Sequence, residues 1–210
     1  MLKREPQAVQ AKIGNTIFFA ILILSLYWDV GAYNAVDMKN LAGAVFFWLV
    51  GQLMNNYFNT ILIFQNERAV FMREKANQLY GLFPYYLVKN IQELPFTIIL
   101  PFVQLLLIYW GVGFSTDNLP YEFLQMLLAV FLLSHTALGM GYFISASFSS
   151  VQAATAVAPS LTLPVILFGG FFANSGSIIV WIRWLQYLSP LYYAQMAILQ
   201  AQWSKGPVMG

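Results

Sequence analysis

The sequence predicts an all-α membrane protein, and three observations support that prediction. Of its 210 residues, 60% are hydrophobic and only 9% are charged, whereas soluble domains use roughly 25% charged residues. Long windows of low charge recur along the chain, separated by charged or Pro- and Gly-containing segments. There is no cysteine and a single histidine, which excludes disulfides, thiol catalysis and a zinc site. The net charge of +2 is too weak for a nucleic-acid surface.

Five low-charge windows have the length and composition of membrane helices. They cover residues about 13–30, 41–64, 94–113, 122–147 and 152–173. The first is the weakest, because its apolar part, at about 1.5 Å per residue, falls short of a hydrocarbon core of roughly 30 Å. A cleaved signal peptide is the alternative for that window, since basic residues precede an apolar run. The polar residues that lead into it favour the membrane helix.

Basic residues in the predicted loops indicate the orientation, since short cytoplasmic loops are enriched in Lys and Arg. With the N-terminus inside, the cytoplasmic basic residues are Lys3, Arg4, Lys12, Arg68, Arg73, Lys75 and Lys89. The outer side then holds only Lys39, Arg183 and Lys205. We therefore predict a multi-pass protein whose N-terminus is cytoplasmic.

The longest predicted cytoplasmic stretch is an amphipathic connecting helix over about residues 66–82. Glu67, Glu74 and Gln78 share one face of it, and apolar residues such as Met72 and Leu79 share another. One interpretation is an interfacial helix that anchors the loop. The other is a helix that docks on a cytoplasmic motor domain, because it displays charges of both signs and a binder of anionic lipid would be mostly basic.

Four amide side chains line one face of the second span. Gln52, Asn55, Asn56 and Asn59 recur at i, i+3, i+4 and i+7. Within a membrane such a face must meet protein or water. It either holds helices together by hydrogen bonds, or forms the polar wall of a substrate cavity. The second role suits amphipathic molecules, because amides both donate and accept hydrogen bonds.

The fifth span contains prolines and leads into an aromatic segment. Pro159 and Pro164 each remove a helical hydrogen bond and predict helix kinks. Residues 177–200 are rich in Trp and Tyr and are interrupted by Arg183 and Pro190. Aromatic density of this kind is typical of the membrane interface. We predict short re-entrant or interfacial helices there, on the outer side.

Three stretches together resemble the membrane domain of ATP-binding cassette transporters of the G, or White, subfamily, the type-2 exporter fold. The first runs from Asn66 to Tyr80 as NERAVFMREKANQLY and continues from Pro84 to Pro95 as PYYLVKNIQELP. The second, Ala158 to Asn174, reads APSLTLPVILFGGFFAN, and the third, Trp181 to Tyr193, reads WIRWLQYLSPLYY. The resemblance covers nearly the whole chain and implies five spans of a six-helix membrane domain.

The family resemblance implies a half-transporter, in which a nucleotide-binding domain precedes six membrane helices. Two such units form a homo- or heterodimer, and ATP-driven closure moves sterols, other lipids or amphipathic drugs outward. The sequence departs from that plan twice: it has no G-x-x-x-x-G-K-[ST] motif, and it stops before a sixth span. We therefore expect no cofactor and no ATP hydrolysis in this chain. ATP and Mg²⁺ are expected in a nucleotide-binding domain, in the same gene product or in another chain.

The resemblance also implies roles for individual residues. It places a hydrophobic plug between an inner and an outer cavity at Phe171 and Phe172, and the cavity wall of the second span near Asn55. The residues expected to couple the membrane domain to the ATP-binding domain are Glu67, Arg73 and Glu74. Packing against the aromatic segment that follows is the alternative role for the two phenylalanines.

Two classes of function follow from this reading of residues 1–210. The first is the transmembrane subunit or fragment of an ATP-driven exporter of lipids, sterols or amphipathic xenobiotics. The second is a truncated or regulatory membrane protein that dimerises with full transporters without moving substrate. A passive channel is disfavoured, because the spans contain neither ring-forming acidic residues nor a carbonyl-filter motif.

Overall fold

The computed structural model describes residues 6–30, 35–114, 119–171 and 181–203. The elements in these ranges are α1 (Pro6–Leu26), α2 (Ala35–Ala76), α3 (Leu82–Val112), α4 (Leu119–Ser147), α5 (Val151–Leu167), a 3₁₀ turn (Arg183–Leu188) and α6 (Pro190–Trp203). No strand occurs within the described ranges. The predicted all-α fold is confirmed.

Three helices of the described ranges are long and apolar enough to cross a membrane: Val9–Leu26 within α1, and the whole of α3 and α4. α5 is apolar but has only 17 residues. It ends at Leu167, before the predicted end of the fifth span, because two glycines follow and Gly170 has a φ of 94°. The second predicted span lies within α2, where the amide side chains lower the hydropathy. The count of five spans stays a prediction.

The second predicted span and residues 66–76 of the predicted connecting helix form one continuous helix, and the remainder of that predicted helix, residues 77–81, is a turn. α2 has 42 residues, a length of about 63 Å and roughly twice the hydrocarbon core of a bilayer. No proline or glycine separates its two parts after Gln52. α2 ends at Ala76, and a turn that includes Gln78 at a φ of 53° leads into α3. We call residues 65–93 the elbow.

The core of the bundle lies mainly between α2 and α4, which make the most extensive contacts. Gly141 on α4 permits this approach, because a Cβ at that position would lie 2.8 Å from the Thr60 Cβ and 2.9 Å from the Tyr57 carbonyl oxygen. Ala137 and Ser145, one turn to either side, are fully buried. Small residues on α4 therefore determine how closely the two helices pack.

α6 packs on α4 and α2 at the end of the bundle where α2 begins. Gln195 Nε2 donates a hydrogen bond to the Ala42 carbonyl at 3.2 Å, and Gln125 Nε2 of α4 donates to the Ala197 carbonyl at 3.5 Å. With 14 residues, α6 is about 21 Å long and too short to span a bilayer. Its length suits a re-entrant or interfacial position.

Candidate functional site

The amide face of α2 lies against α1. Asn15 Nδ2 of α1 donates a hydrogen bond to Asn55 Oδ1 at 2.9 Å, and Asn59 Nδ2 donates to the same oxygen at 2.5 Å. Asn56 Nδ2 donates to the Gln52 carbonyl of its own helix at 2.9 Å. Asn55 thus bonds α2 to α1, whereas the bonds of Asn56 and Asn59 stay within α2. The structure also shows that sequence reasoning missed Asn15, which is an isolated amide on α1.

The members of the amide face differ in how far they are buried. Gln52 is 5% exposed, whereas Asn55, Asn56 and Asn59 are half-buried. Gln52 therefore does not line an open surface in this arrangement of the helices. The three asparagines retain the exposure that a cavity wall needs.

Phe171, one half of the predicted plug, lies on another face of α2. Its ring stacks on Phe46 with centroids 4.9 Å apart and an interplanar angle of 18°, and it is 42% exposed. Phe46 lies about 120° or more around the helix from most of the amides. Within one chain Phe171 is therefore not brought to the amide face. Phe172 lies outside the described residues.

Both predicted kink prolines lie inside α5, which is helical on either side of them. Pro159 and Pro164 are exposed on the surface of the bundle. Between them, the Thr162 hydroxyl donates to the Ala158 carbonyl at 3.1 Å and approaches the Pro159 carbonyl at 3.3 Å. A local hydroxyl therefore adds hydrogen bonds to a helix that has lost two backbone donors.

The three predicted coupling residues lie in the elbow and differ in their surroundings. Glu67 forms an ion pair with Lys89 of α3, and these side chains are 25% and 10% exposed. Glu74 accepts a hydrogen bond from the Tyr80 hydroxyl, and this bond raises the pKa of the Tyr80 phenol above its ordinary value. Arg73 is exposed. Glu67 and Glu74 thus bond to other residues of the elbow, whereas the Arg73 side chain is exposed on its surface.

A second ion pair connects the elbow to α1. Lys12 Nζ lies 2.6 Å from a Glu93 carboxylate oxygen and 4.9 Å from the centroid of the Phe96 ring. Glu93 and Lys89 are one turn apart on α3, yet each pairs with a different helix. α3 therefore contacts both helices through ion pairs: it supplies the cation, Lys89, to α2 and the anion, Glu93, to α1.

The elbow also caps the end of α4. Gln65 Nε2 donates to the Ser145 carbonyl at 2.6 Å and to the Phe148 carbonyl at 2.8 Å, and the Arg68 guanidinium donates to the Phe148 carbonyl as well. The last carbonyls of a helix lack intrahelical donors and carry partial negative charge, so an amide and a cation stabilise them. Sequence reasoning could not find this contact, because Arg68 and Phe148 are 80 positions apart.

We expect the substitution Gln65→Leu to loosen the end of α4. It removes the donor to the Ser145 carbonyl and leaves the Phe148 carbonyl with the Arg68 guanidinium alone, at a cost of about 1–3 kcal/mol. Hydrogen exchange at residues 143–150 in lipid nanodiscs should become roughly tenfold faster or more. Gln92→Leu, at an exposed position of α3, is the matched control and should leave the rate unchanged. Equal rates in the two variants would contradict the capping role.

The described helices, three of which are long and apolar enough to cross a membrane, have polar side chains bonded between them. These features define the class of this chain as the membrane domain of a multi-pass protein. The chain belongs to the ABC-2 type transporter family, because the sequence model of that family matches residues 1–203. It is 37% identical to "Protein white" of Drosophila melanogaster over 201 residues, which are 96% of this chain and 29% of that protein. It is 29% identical to "ABC transporter G family member 1" of Dictyostelium discoideum over 204 residues, 95% and 25% of the two chains.

A third relative is "ABC transporter ATP-binding protein/permease wht-1" of Caenorhabditis elegans. It is 31% identical over 200 residues, which are 95% of this chain and 29% of that protein. The chain therefore spans less than a third of the length of each of these relatives. The predicted resemblance to the G subfamily is confirmed.

Proposed function

We propose that this chain is the transmembrane part of an ATP-driven transporter that moves lipids, sterols or other amphipathic molecules outward across a membrane. The observation that carries the proposal is the match to the ABC-2 type transporter family over residues 1–203, together with the similarity to G-family transporters. The name of the nematode relative joins ATP binding and permease in one protein. Our proposal therefore includes a nucleotide-binding domain that supplies ATP and Mg²⁺ chemistry, in the same gene product or in another chain. A second half-transporter completes the dimer.

The elbow is the proposed contact with the nucleotide-binding domain, on the cytoplasmic side together with the N-terminus. Arg73 is exposed there, while Glu67 and Glu74 are held by Lys89 and Tyr80. A fixed elbow transmits force better than a mobile loop, because its side chains are already ordered by their partners.

A movement of the elbow would be transmitted to each helix that the elbow contacts. Its ion pairs lead to α1 through Glu93, and its hydrogen bonds lead to the α4–α5 turn through Gln65 and Arg68. α2 itself continues without a break from the elbow to the amide face. The contacts thus offer three routes by which ATP-driven closure at the elbow changes the spacing of the helices.

The proposed substrate path uses the half-buried asparagines and the exposed phenylalanine. Asn55, Asn56 and Asn59 supply amide groups for a polar head. Phe171, with Phe172, supplies apolar bulk for a plug, and two chains together would present four rings. Because Phe171 and the amide face lie apart within one chain, the proposal places the meeting of the plug and the amide face at the dimer axis.

A chimera tests this function directly. The matched 200 residues of the nematode relative would be replaced by this chain, and the product reconstituted in liposomes. We expect ATP hydrolysis and ATP-dependent movement of a fluorescent phospholipid, each at least fivefold above the chimera with a substituted phosphate-binding lysine. Arg73→Glu should keep hydrolysis and lose at least fivefold in lipid movement, because it reverses the displayed charge.

The matched control for this test is Lys75→Glu, an exposed residue two positions further on, which should change neither rate. A chimera that hydrolyses ATP but moves no lipid above background would favour the non-transporting alternative. An Arg73→Glu variant equal to the control would remove the coupling role of the elbow.

A further inference from the structure

A small cavity lies between α2, α3 and α4, where the elbow meets α4. Its lining residues are Thr60, Ile63 and Phe64 of α2, Lys89 and Glu93 of α3, and Tyr142 of α4. The cavity has a volume of about 10 Å³, and a buried water needs roughly 10–15 Å³ together with two to four polar partners. The cavity can therefore hold one water if its wall supplies those partners.

Two opposite charges of α3 lie side by side in this wall. Lys89 and Glu93 are one turn apart, so they are neighbours on one face of the helix. Lys89 forms its ion pair with Glu67 of α2, and Glu93 accepts a hydrogen bond from Lys12 of α1 at 2.6 Å. An ammonium group has three donors, and a carboxylate accepts about four hydrogen bonds. Each ion pair therefore leaves Lys89 and Glu93 with capacity for a further hydrogen bond.

Two hydroxyl groups belong to the same wall. The Tyr142 ring lies between the rings of Phe64 of α2 and Tyr86 of α3, at centroid distances of 5.8 and 6.0 Å. The Thr60 hydroxyl donates to the Asn56 carbonyl at 2.7 Å, so its oxygen remains an acceptor for another donor. A tyrosine hydroxyl both donates and accepts. The wall thus contains a cationic donor, an anionic acceptor and two hydroxyls, which are enough partners for one water.

The composition of the wall selects the occupant. A cavity that stays empty is normally apolar, and a buried charge is costly unless hydrogen bonds replace its lost water. A cation in this position would be repelled by Lys89, and an anion would be repelled by Glu93. The occupant is therefore a neutral molecule that both donates and accepts hydrogen bonds, and the volume of the cavity limits it to water.

We propose that the cavity binds one internal water, which accepts a hydrogen bond from Lys89 and donates one to Glu93. The water joins the Glu67–Lys89 and Lys12–Glu93 ion pairs into a single network of four charges. This network connects α1, α2 and α3, and Tyr142 adds α4 to it. The site goes beyond the proposed transport function, because it requires neither ATP nor a second half-transporter.

Solid-state NMR of the whole chain in liposomes tests for the water. The measurement follows the transfer of magnetisation from water to isotope-labelled tyrosines, and the Tyr142 signal is the one that disappears in Tyr142→Phe. We expect the initial transfer to Tyr142 to be roughly threefold faster or more than the transfer to Tyr57, whose side chain is fully buried. This comparison is made in the unsubstituted chain, and equal rates for the two tyrosines would overturn the proposal.

A variant that fills the cavity separates an internal water from the surrounding solvent. Ile63→Phe adds side-chain volume to the wall, and transfer to Tyr142 should fall to the rate of Tyr57. Leu62→Phe is the matched control, because Leu62 is 42% exposed and does not line the cavity. It should leave the transfer unchanged. Fast transfer that persists in Ile63→Phe would come from solvent outside the cavity, and the proposed site would then be wrong.

A double-mutant cycle on the unfolding of the chain in nanodiscs tests the network. Glu67→Gln and Lys12→Met disrupt different ion pairs, so the effects of two independent pairs on the unfolding equilibrium would multiply. In the bridged network we expect the double variant to differ from that product by about threefold or more. This difference should persist with Leu62→Phe and vanish with Ile63→Phe. Effects that multiply in the unfilled cavity, or coupling that survives in Ile63→Phe, would show that no water joins the two pairs.

Discussion

Gly141→Leu is expected to disrupt the packing of α2 on α4 and to lower the stability of the bundle by about 3 kcal/mol or more. A Cβ at this position would lie 2.8 Å from the Thr60 Cβ and 2.9 Å from the Tyr57 carbonyl oxygen. The carbonyl belongs to the helix backbone, so it cannot move aside as a flexible side chain would. Because this pair of helices carries the most extensive contacts, the whole bundle must adjust.

The same substitution two residues earlier provides the control. A Cβ at Gly139 would meet nothing within 4 Å, and this glycine borders an open groove of about 520 Å³ that Phe143 and Leu161 also line. Gly139→Leu should leave the midpoint of thermal unfolding unchanged or slightly raised, since leucine is the better helix former by roughly 0.8–1 kcal/mol. Equal midpoints for the two variants in the same detergent would contradict the packing of α2 on α4.

Lys89→Glu is the second change with a large expected effect. It removes the partner of Glu67 and places a second negative charge beside it, at side-chain exposures of 10% and 25%. Breaking such a pair costs about 3–5 kcal/mol. The lower end of this energy range is the better guide, because Glu67 keeps some contact with solvent. We expect a lower unfolding midpoint and, in the chimera, loss of ATP-dependent lipid movement.

The double variant Glu67→Lys/Lys89→Glu restores opposite charges across the elbow. It should recover most of the unfolding midpoint and of the transport rate, and this recovery separates the ion pair from a simple loss of packing. Lys75→Glu, an exposed charge reversal in the same helix, should have little effect on the midpoint. A charge-swapped variant as unstable as Lys89→Glu alone would show that the pair does not hold the elbow.

Local sequence patterns predicted the elements that depend on neighbours along the chain. Low charge over long windows predicted the helical bundle, and α3 and α4 contain the third and fourth predicted spans. The spacing of Gln52, Asn55 and Asn59 predicted a shared polar face, because residues three and four apart lie on one side of a helix. The sequence also has no Gly or Pro between Gln52 and Ala76, which agrees with the unbroken α2.

Partners across the bundle could not be predicted from one sequence. Glu67 had the pattern of an exposed charge, yet Lys89 reaches it only because the turn after Ala76 folds α3 back along α2. Asn15 gave no signal on α1, since an isolated amide has no periodicity. Gly141 is different, because the sequence places it with Ala137 and Ser145 on a face of small residues that predicts close helix packing. Gly139 is not on that face, and a Cβ there would meet nothing within 4 Å.

By itself the sequence determined that the protein is a helical membrane bundle, because the balance of apolar and charged residues decides burial in lipid whatever the order of contacts. Three stretches of the sequence also predicted the resemblance to G-subfamily transporters, and the comparisons confirm that resemblance. Only the tertiary structure decided which polar groups meet: α1 with the amide face, and the elbow with the end of α4. The reason is physical, since a hydrogen bond or ion pair depends on distances of about 3 Å between helices, and a sequence specifies spacing only within a helix.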